Sequence, residues 1–126
     1  MRSLVFCTTC RYSQSEATGA DGRTGGQTLI LNPTDLGLEF VVIGTAAGGT
    51  TGTTILNVDA NDVLSGLTIT GNNGANVIDG TGFADVLVGN GGVDTLYGGI
   101  GNDTITGGAG ADFLAGADGD DLFVVA

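Results

Sequence analysis

The C-terminal half of this 126-residue chain is built from one nine-residue repeat. From Gly71 the sequence divides into six units, which read GNNGANVID, GTGFADVLV, GNGGVDTLY, GGIGNDTIT, GGAGADFLA and GADGDDLFV. Position one is always glycine, position six is aspartate or asparagine, and position eight is Ile, Leu or Phe. A flexible glycine-rich linker has no reason to place an apolar residue at every ninth position. The pattern therefore predicts stacked copies of one structural unit.

The chemistry of one unit predicts its local structure. The last three residues favour a short strand whose middle side chain, at position eight, points to one face while its two neighbours point to the other. The six residues before it must turn sharply, and glycine supplies the left-handed backbone conformations that such a turn needs. Two units then make one coil with a turn at each end. The prediction is an all-β solenoid with two parallel sheets and the position-eight side chains between them.

The acidic residues of this repeat have no basic partners. The chain has 14 acidic and 3 basic residues, for a net charge of -11, and the basic residues are Arg2, Arg11 and Arg23. Only Glu16 and Asp21 precede the last arginine, so the other 12 acidic residues lie in a stretch without a single cation. Their carboxylates must be solvated, protonated or bound to a metal ion.

The missing residue types exclude several functions. Without histidine the chain cannot form a Ser–His or Cys–His nucleophile pair or a histidine-built zinc site. Without lysine it has no Schiff-base residue and no phosphate-binding P-loop, including at the glycine-rich stretch 44–54. The acidic balance disfavours nucleic acid, and no apolar run is long enough to insert in a membrane. We therefore expect a protein that is not an enzyme.

Stacked turns would bring the position-six residues together at two edges, because each turn lies over the turn two units away. One edge would carry Asp85, Asp103 and Asp121, and the other Asn76, Asp94 and Asp112. Carboxylates stacked at the strand spacing of ~4.8 Å repel each other unless a cation lies between them. Calcium binds 6–8 carboxylate and carbonyl oxygens, so the pattern predicts calcium between successive turns.

Residues 71–124 resemble the RTX, or hemolysin-type calcium-binding, nonapeptide repeat family, in which G-G-x-G-x-D precedes x-apolar-x. The units GGIGNDTIT and GGAGADFLA match it fully. The resemblance implies a right-handed parallel β-roll and side-chain calcium ligands at Asp85, Asp94, Asp103, Asp112 and Asp121, with the neutral Asn76 as a weaker one. It also implies carbonyl ligands at positions two and four, which are Asn90, Gly92, Gly99, Gly101, Gly108, Gly110, Ala117 and Gly119. Unit two departs from the motif at Thr81 and Phe83, where we expect a distorted turn.

The sequence suggests three regions, namely an irregular N-terminal segment (1–27), calcium-free strand and capping rungs (28–70) and the calcium-binding roll (71–126). In the middle region the runs TLILNP, LEFVVIG, TTILNV and LTIT favour strands. The nine-residue period reaches back from Ile78 to Ile69, but Leu67 occupies position six there. We therefore expect no calcium turn before Gly71.

The N-terminal segment contains a C-x-x-C pair, Cys7 and Cys10. The segment resembles the start of small predicted metal-binding or thioredoxin-like proteins that open with a strand and CTTCR. Two thiols cannot complete a four-ligand zinc or iron–sulfur centre, and no further Cys or His follows. The alternative is an appended segment with inert thiols.

The family resemblance implies a calcium-binding module of a secreted or cell-surface bacterial protein, exported through a type I channel and folding on calcium outside. Two alternatives stay open. One is a non-catalytic remnant or C-terminal part of a secreted enzyme of protease or lipase type, and the other is an adhesive structural solenoid.

One outer face of the solenoid has an apolar strip, formed by Val86, Val88, Leu122 and Val124. We expect this strip to be covered by the N-terminal segment, a second copy or a parent domain, and the alternative is that it stays exposed.

Overall fold

The computed structural model describes residues 2–6, 27–31, 38–43, 50, 52–53 and 55–125. These residues form eleven strands and no helix. The strands are β1 (Arg2–Phe6), β2 (Gln27–Ile30), β3 (Leu38–Ile43), β4 (Leu56–Asp59), β5 (Thr68–Thr70), β6 (Val77–Asp79), β7 (Val86–Gly91), β8 (Thr95–Ile100), β9 (Thr104–Ala109), β10 (Phe113–Asp118) and β11 (Leu122–Val124).

The strands alternate between two sheets along the chain. The odd-numbered strands form one sheet in the order β1-β3-β5-β7-β9-β11, and the even-numbered strands form the other in the order β2-β4-β6-β8-β10. Every pair of neighbouring strands is parallel. A chain that crosses to the opposite sheet after each strand and returns in parallel forms a solenoid, so the predicted all-β fold is confirmed.

The repeat region has the predicted register. In the first sheet Ile69 pairs with Leu87, Leu87 pairs with Ile105, and Ile105 pairs with Phe123. In the second sheet Ile78 pairs with Leu96, which pairs with Leu114. Paired residues are therefore two units apart, which confirms that two nonapeptides make one coil.

The coils before the repeat are longer. Val41 pairs with Ile69, Leu29 with Val58, and Val58 with Ile78. These separations exceed the two-unit spacing because this region lacks the glycine–aspartate turns that set the coil length. The four predicted strand runs of the middle region are present as β2 to β5.

Strand β1 lies in the segment that the sequence analysis predicted to be irregular. Its residues pair in parallel with β3, with Leu4 beside Val41 and Phe6 beside Ile43. The short apolar run of this segment extends the first sheet by one strand. Cys7 and Cys10 lie outside the described residues, as does residue range 44–49 of the glycine-rich stretch.

One continuous apolar core fills the space between the sheets. Its buried side chains are Leu29, Leu31, Val41, Ile43, Val58, Ala60, Val63, Leu67, Ile69, Ile78, Leu87, Leu96 and Ile105. The position-eight residues of the first four units are fully buried, as predicted. Leu114 packs against this core only in part, and Phe123 is 44% exposed because β11 has a neighbouring strand on one side alone.

The outward strip on the first sheet has no cover from the described residues. Val86, Leu122 and Val124 are 40–59% exposed, and Val88 is half-buried. Within the described part of the chain, no helix is long and apolar enough to cross a membrane.

Candidate metal centre

The position-six side chains of units two, four and six stack into a ladder at one edge of the solenoid. The Leu67 N–H donates to Asp85 Oδ1 over 2.7 Å, and the Asp85 N–H donates to Asp103 Oδ1 over 2.8 Å. The Asp103 N–H donates to Asp121 Oδ1 over 3.0 Å. The predicted edge of three aspartates is therefore present, and a backbone hydrogen bond sets the height of each carboxylate.

The other edge carries the matching ladder of units one, three and five. The Asn76 N–H donates to Asp94 Oδ1 over 2.8 Å, and the Asp94 N–H donates to Asp112 Oδ1 over 3.0 Å. In both ladders Oδ1 accepts the position-six N–H of the preceding coil. The other carboxylate oxygen, Oδ2, is left for a different partner.

Position-one glycines make room for this second oxygen. A Cβ at Gly98 would lie 2.8 Å from Asp103 Cγ and would overlap Asp103 Oδ2, and a Cβ at Gly89 would collide with Asp94 in the same way. Neither glycine has a left-handed backbone. Glycine is needed here for space rather than for conformation, which links position one physically to position six.

Positions two and four of units three to six share an unusual backbone. All eight residues have positive φ, between 75° and 146°, and no other described residue does. They are Asn90, Gly92, Gly99, Gly101, Gly108, Gly110, Ala117 and Gly119. These are the eight residues whose backbone carbonyls the family resemblance implies as calcium ligands. Units three to six therefore have one type of turn, and units one and two have another.

Carbonyl oxygens of these turns face the gap between stacked turns. The space that a Cβ at Gly110 would take is occupied by the Gly92 carbonyl, and the Gly101 carbonyl occupies the same space at Gly119. The Asn90 carbonyl likewise lies against Gly108. Two gaps, between turns three and five and between turns four and six, are thus lined by both carbonyl and carboxylate oxygens.

The first turn of each gap has one carboxylate oxygen without a partner. Asp94 Oδ2 and Asp103 Oδ2 are buried and accept no hydrogen bond. Burial raises the pKa of both carboxyls, the neighbouring Asp112 or Asp121 carboxylate raises it further, and a backbone N–H opposes the shift. A buried ionised oxygen without a donor is unfavourable, so a bound cation fits both positions.

The donor set selects a hard cation. Among the described residues no group of three or more His, Cys, Asp or Glu side chains is placed to share one ion. Each gap offers two carboxylates, and backbone carbonyls would have to complete the shell. An all-oxygen set of this kind suits calcium and does not suit zinc, which prefers nitrogen and sulfur.

Asp85 and Asn76 lie on the ladders, but protein donors occupy their oxygens. Asp85 Oδ2 accepts hydrogen bonds from the Thr81 N–H over 2.6 Å and from the Thr81 hydroxyl over 3.1 Å. Asn76 Oδ1 accepts the Asn72 N–H over 3.0 Å. Burial raises the pKa of Asp85, while the Thr81 and Leu67 donors lower it. The sequence analysis missed this role of Thr81, and the departure from glycine at position two was the available signal.

Comparison with known proteins identifies the repeat. The family model of the RTX calcium-binding nonapeptide repeat matches residues 58–87, 70–105 and 88–123, which together cover more than half of the chain. No curated protein and no solved structure matches the chain. With its ladders, its glycine turns and this match, the chain belongs to the RTX calcium-binding repeat family and carries a calcium-binding β-roll module.

Proposed function

We propose that this module binds two calcium ions, one in each gap between stacked turns. The first site would use Asp94 and Asp112 with the carbonyls of Asn90, Gly92, Gly108 and Gly110. The second would use Asp103 and Asp121 with the carbonyls of Gly99, Gly101, Ala117 and Gly119. The observation that carries this proposal is the buried, unpartnered carboxylate oxygen in the first turn of each gap, on Asp94 and on Asp103.

Calcium would couple to folding at these sites. Without an ion, two carboxylates stacked at strand spacing repel each other and leave one oxygen buried without a donor. An ion that binds only the folded turns stabilises them by mass action. We infer that units three to six lose their strand structure in chelator and regain it with calcium.

This coupling suits a protein that is exported before it folds. Bacterial cytosol holds little free calcium, so the acidic repeat would stay unfolded there. Millimolar calcium outside the cell would fill sites with dissociation constants of about 10⁻⁴–10⁻³ M. Membership of the RTX family supports a secreted or cell-surface location and type I export.

The role that we propose is structural rather than catalytic. The chain has no histidine or lysine, so any catalytic activity would belong to a parent protein of protease or lipase type.

The 40–59% exposure of Val86, Leu122 and Val124 supports a second role, in which a parent domain or a second copy packs on this strip of the first sheet.

Calcium titration of the chelator-treated chain tests the proposal. Calorimetry should give two ions per chain, and circular dichroism should show added β structure with calcium but not with magnesium, which demands near-octahedral geometry. The pair D94N/D112N should remove one ion, and D103N/D121N should remove the other. A chain that binds no calcium, or that shows its full β signal in excess chelator, would refute the proposal.

A further inference from the structure

The Asp85 carboxylate has the partners that the equivalent carboxylates lack. Asp85 is 2% exposed. Its Oδ1 accepts a hydrogen bond from the Leu67 N–H, and its Oδ2 accepts one from the Thr81 N–H. The Thr81 hydroxyl also donates to this carboxylate and lies 3.0 Å from Oδ1 and 3.1 Å from Oδ2. Asp94 and Asp103 are buried to the same degree, but each has an Oδ2 without a donor. The difference lies in the turn of unit two and not in the depth of burial.

Thr81 changes the backbone of that turn. Its φ and that of Phe83 lie outside the left-handed region that positions two and four adopt in units three to six. A β-branched threonine is strongly disfavoured in that region. In the conformation that it does adopt, its N–H points at Asp85, and its hydroxyl also accepts the Phe83 N–H over 3.0 Å. Thr81 therefore closes the turn with protein donors alone.

On the other edge, the turn of unit one also satisfies its position-six side chain with a protein donor, and this side chain is the uncharged Asn76. The Asn72 N–H donates to Asn76 Oδ1, in the same way that the Thr81 N–H donates to Asp85. Asn72 Oδ1 in turn accepts the Gly74 N–H over 2.8 Å. An asparagine at position six has no charge to neutralise. Both ladders thus begin with a turn whose position-six oxygen is bonded within the protein.

The turns of units one and two are hydrogen-bonded to the turns of units three and four, which are the first turns of the two proposed calcium sites. The Asn76 N–H holds Asp94 Oδ1, and the Asp85 N–H holds Asp103 Oδ1. We propose that the Thr81 hydroxyl and N–H take the place of a cation at Asp85, so that units one and two form a metal-independent base on which the calcium-dependent coils assemble. This inference rests on the proposed calcium function, because it states at which coil the dependence of folding on calcium begins.

The double variant T81G/F83G tests the inference by restoring the family motif to unit two. With glycine at positions two and four, the turn can adopt the left-handed backbone and leave Asp85 Oδ2 free. The variant should bind one more calcium ion than the wild type, between turns two and four, raising the stoichiometry from two to three. A stoichiometry that stays at two would overturn the inference.

The single variant D85N gives the complementary result in case the double variant does not fold. In the wild-type background D85N should leave the calcium stoichiometry at two. Loss of one ion in D85N would show that Asp85 is a calcium ligand and would overturn the inference while leaving the proposed function intact. Absence of calcium binding by the wild type would instead refute the proposed function.

Amide hydrogen exchange in chelator tests the metal-independent base directly. The amides of Leu67 and Thr81, which donate to Asp85, should stay protected without calcium, whereas those of Leu122 and Phe113 should exchange freely. The variant T81V keeps the side-chain shape and removes the hydroxyl, and it should lower the protection of the Leu67 amide at least tenfold. The matched control is T70V on the outer face of β5, within the proposed base. Equal protection in T81V and T70V would contradict the role of the hydroxyl.

Discussion

Replacing Gly98 with alanine would test the link between positions one and six. Gly98 is buried and its backbone lies outside the left-handed region, so alanine introduces no conformational strain. The new Cβ would nevertheless overlap Asp103 Oδ2 and would lie 2.8 Å from Asp103 Cγ and 2.9 Å from the Gly116 carbonyl oxygen. These atoms belong to the two turns of the second proposed calcium site.

The size of the effect follows from overpacking. Inserting a methyl group into a filled space destabilises a fold by about 1–3 kcal/mol. The displaced atoms are a proposed ligand and the backbone of the turn stacked on it, so the cost falls on the folded, calcium-bound state. Since about 1.4 kcal/mol corresponds to a tenfold change, the apparent calcium affinity of this site should fall about 5–150-fold.

Gly82→Ala provides the matched control, because a Cβ at Gly82 would meet no atom within 4 Å and its φ is also outside the left-handed region. Calorimetric titration should show weakened binding at one site in Gly98→Ala and wild-type binding in Gly82→Ala. An affinity in Gly98→Ala within twofold of wild type would refute the steric argument. Equal losses in the two variants would indicate a general effect of glycine replacement in the turns.

Three further predictions concern charge and core. Burial raises the pKa of Asp94 and Asp103, and calcium binds the ionised carboxylates, so the apparent calcium affinity should rise as the pH rises through the raised values; calcium titration across that range measures the change, and an affinity that falls or stays constant would contradict the reasoning. Asp79→Asn should stabilise the fold at neutral pH by about 0.2–1 kcal/mol, because burial and the Asp59 charge raise the Asp79 pKa; urea unfolding would show no gain if the two charges did not interact. Leu96→Ala should destabilise the calcium-bound fold by about 2–5 kcal/mol in the same assay, because Leu96 is fully buried, and a loss under 1 kcal/mol would contradict its place in the core.

The sequence predicted the repeat region in detail because three of its nine positions are fixed. In a three-residue strand the middle side chain faces one side and its two neighbours face the other, and position eight is apolar in every unit, which predicts Ile78, Leu87, Leu96 and Ile105 in the core. The fixed length of the unit then set the stacking of turns and the two ladders of position-six residues. The structure reproduces these features.

The region before the repeat could not be predicted in the same detail. Its apolar runs indicate strands, but nothing in them sets the number of residues between paired strands. The long separations of Val41 from Ile69 and of Leu29 from Val58, and the addition of β1 to the first sheet, depend on connections without a repeating motif. Register between such strands is decided by tertiary packing.

The turn of unit two shows where motif matching reaches its limit. The aspartate at position six of this unit fits the family motif, and the resemblance therefore implies that Asp85 is a ligand. The structure adds that the residue four positions earlier, Thr81, donates two hydrogen bonds to it. Whether a carboxylate is available to an ion depends on the backbone of the whole turn, and a single matching position does not reveal this.

The core is thicker in the coils before the repeat than in the repeat itself. Strand β3 buries two apolar side chains, Val41 and Ile43, whereas β8 and β9 each bury one, Leu96 and Ile105. Stabilisation by burial scales with the apolar area removed from water, so the later coils gain less from their core. They also have the stacked, unpaired carboxylates. The early coils can therefore fold on apolar burial and hydrogen bonds, while the later ones need an ion to turn a repulsive edge into an attractive one.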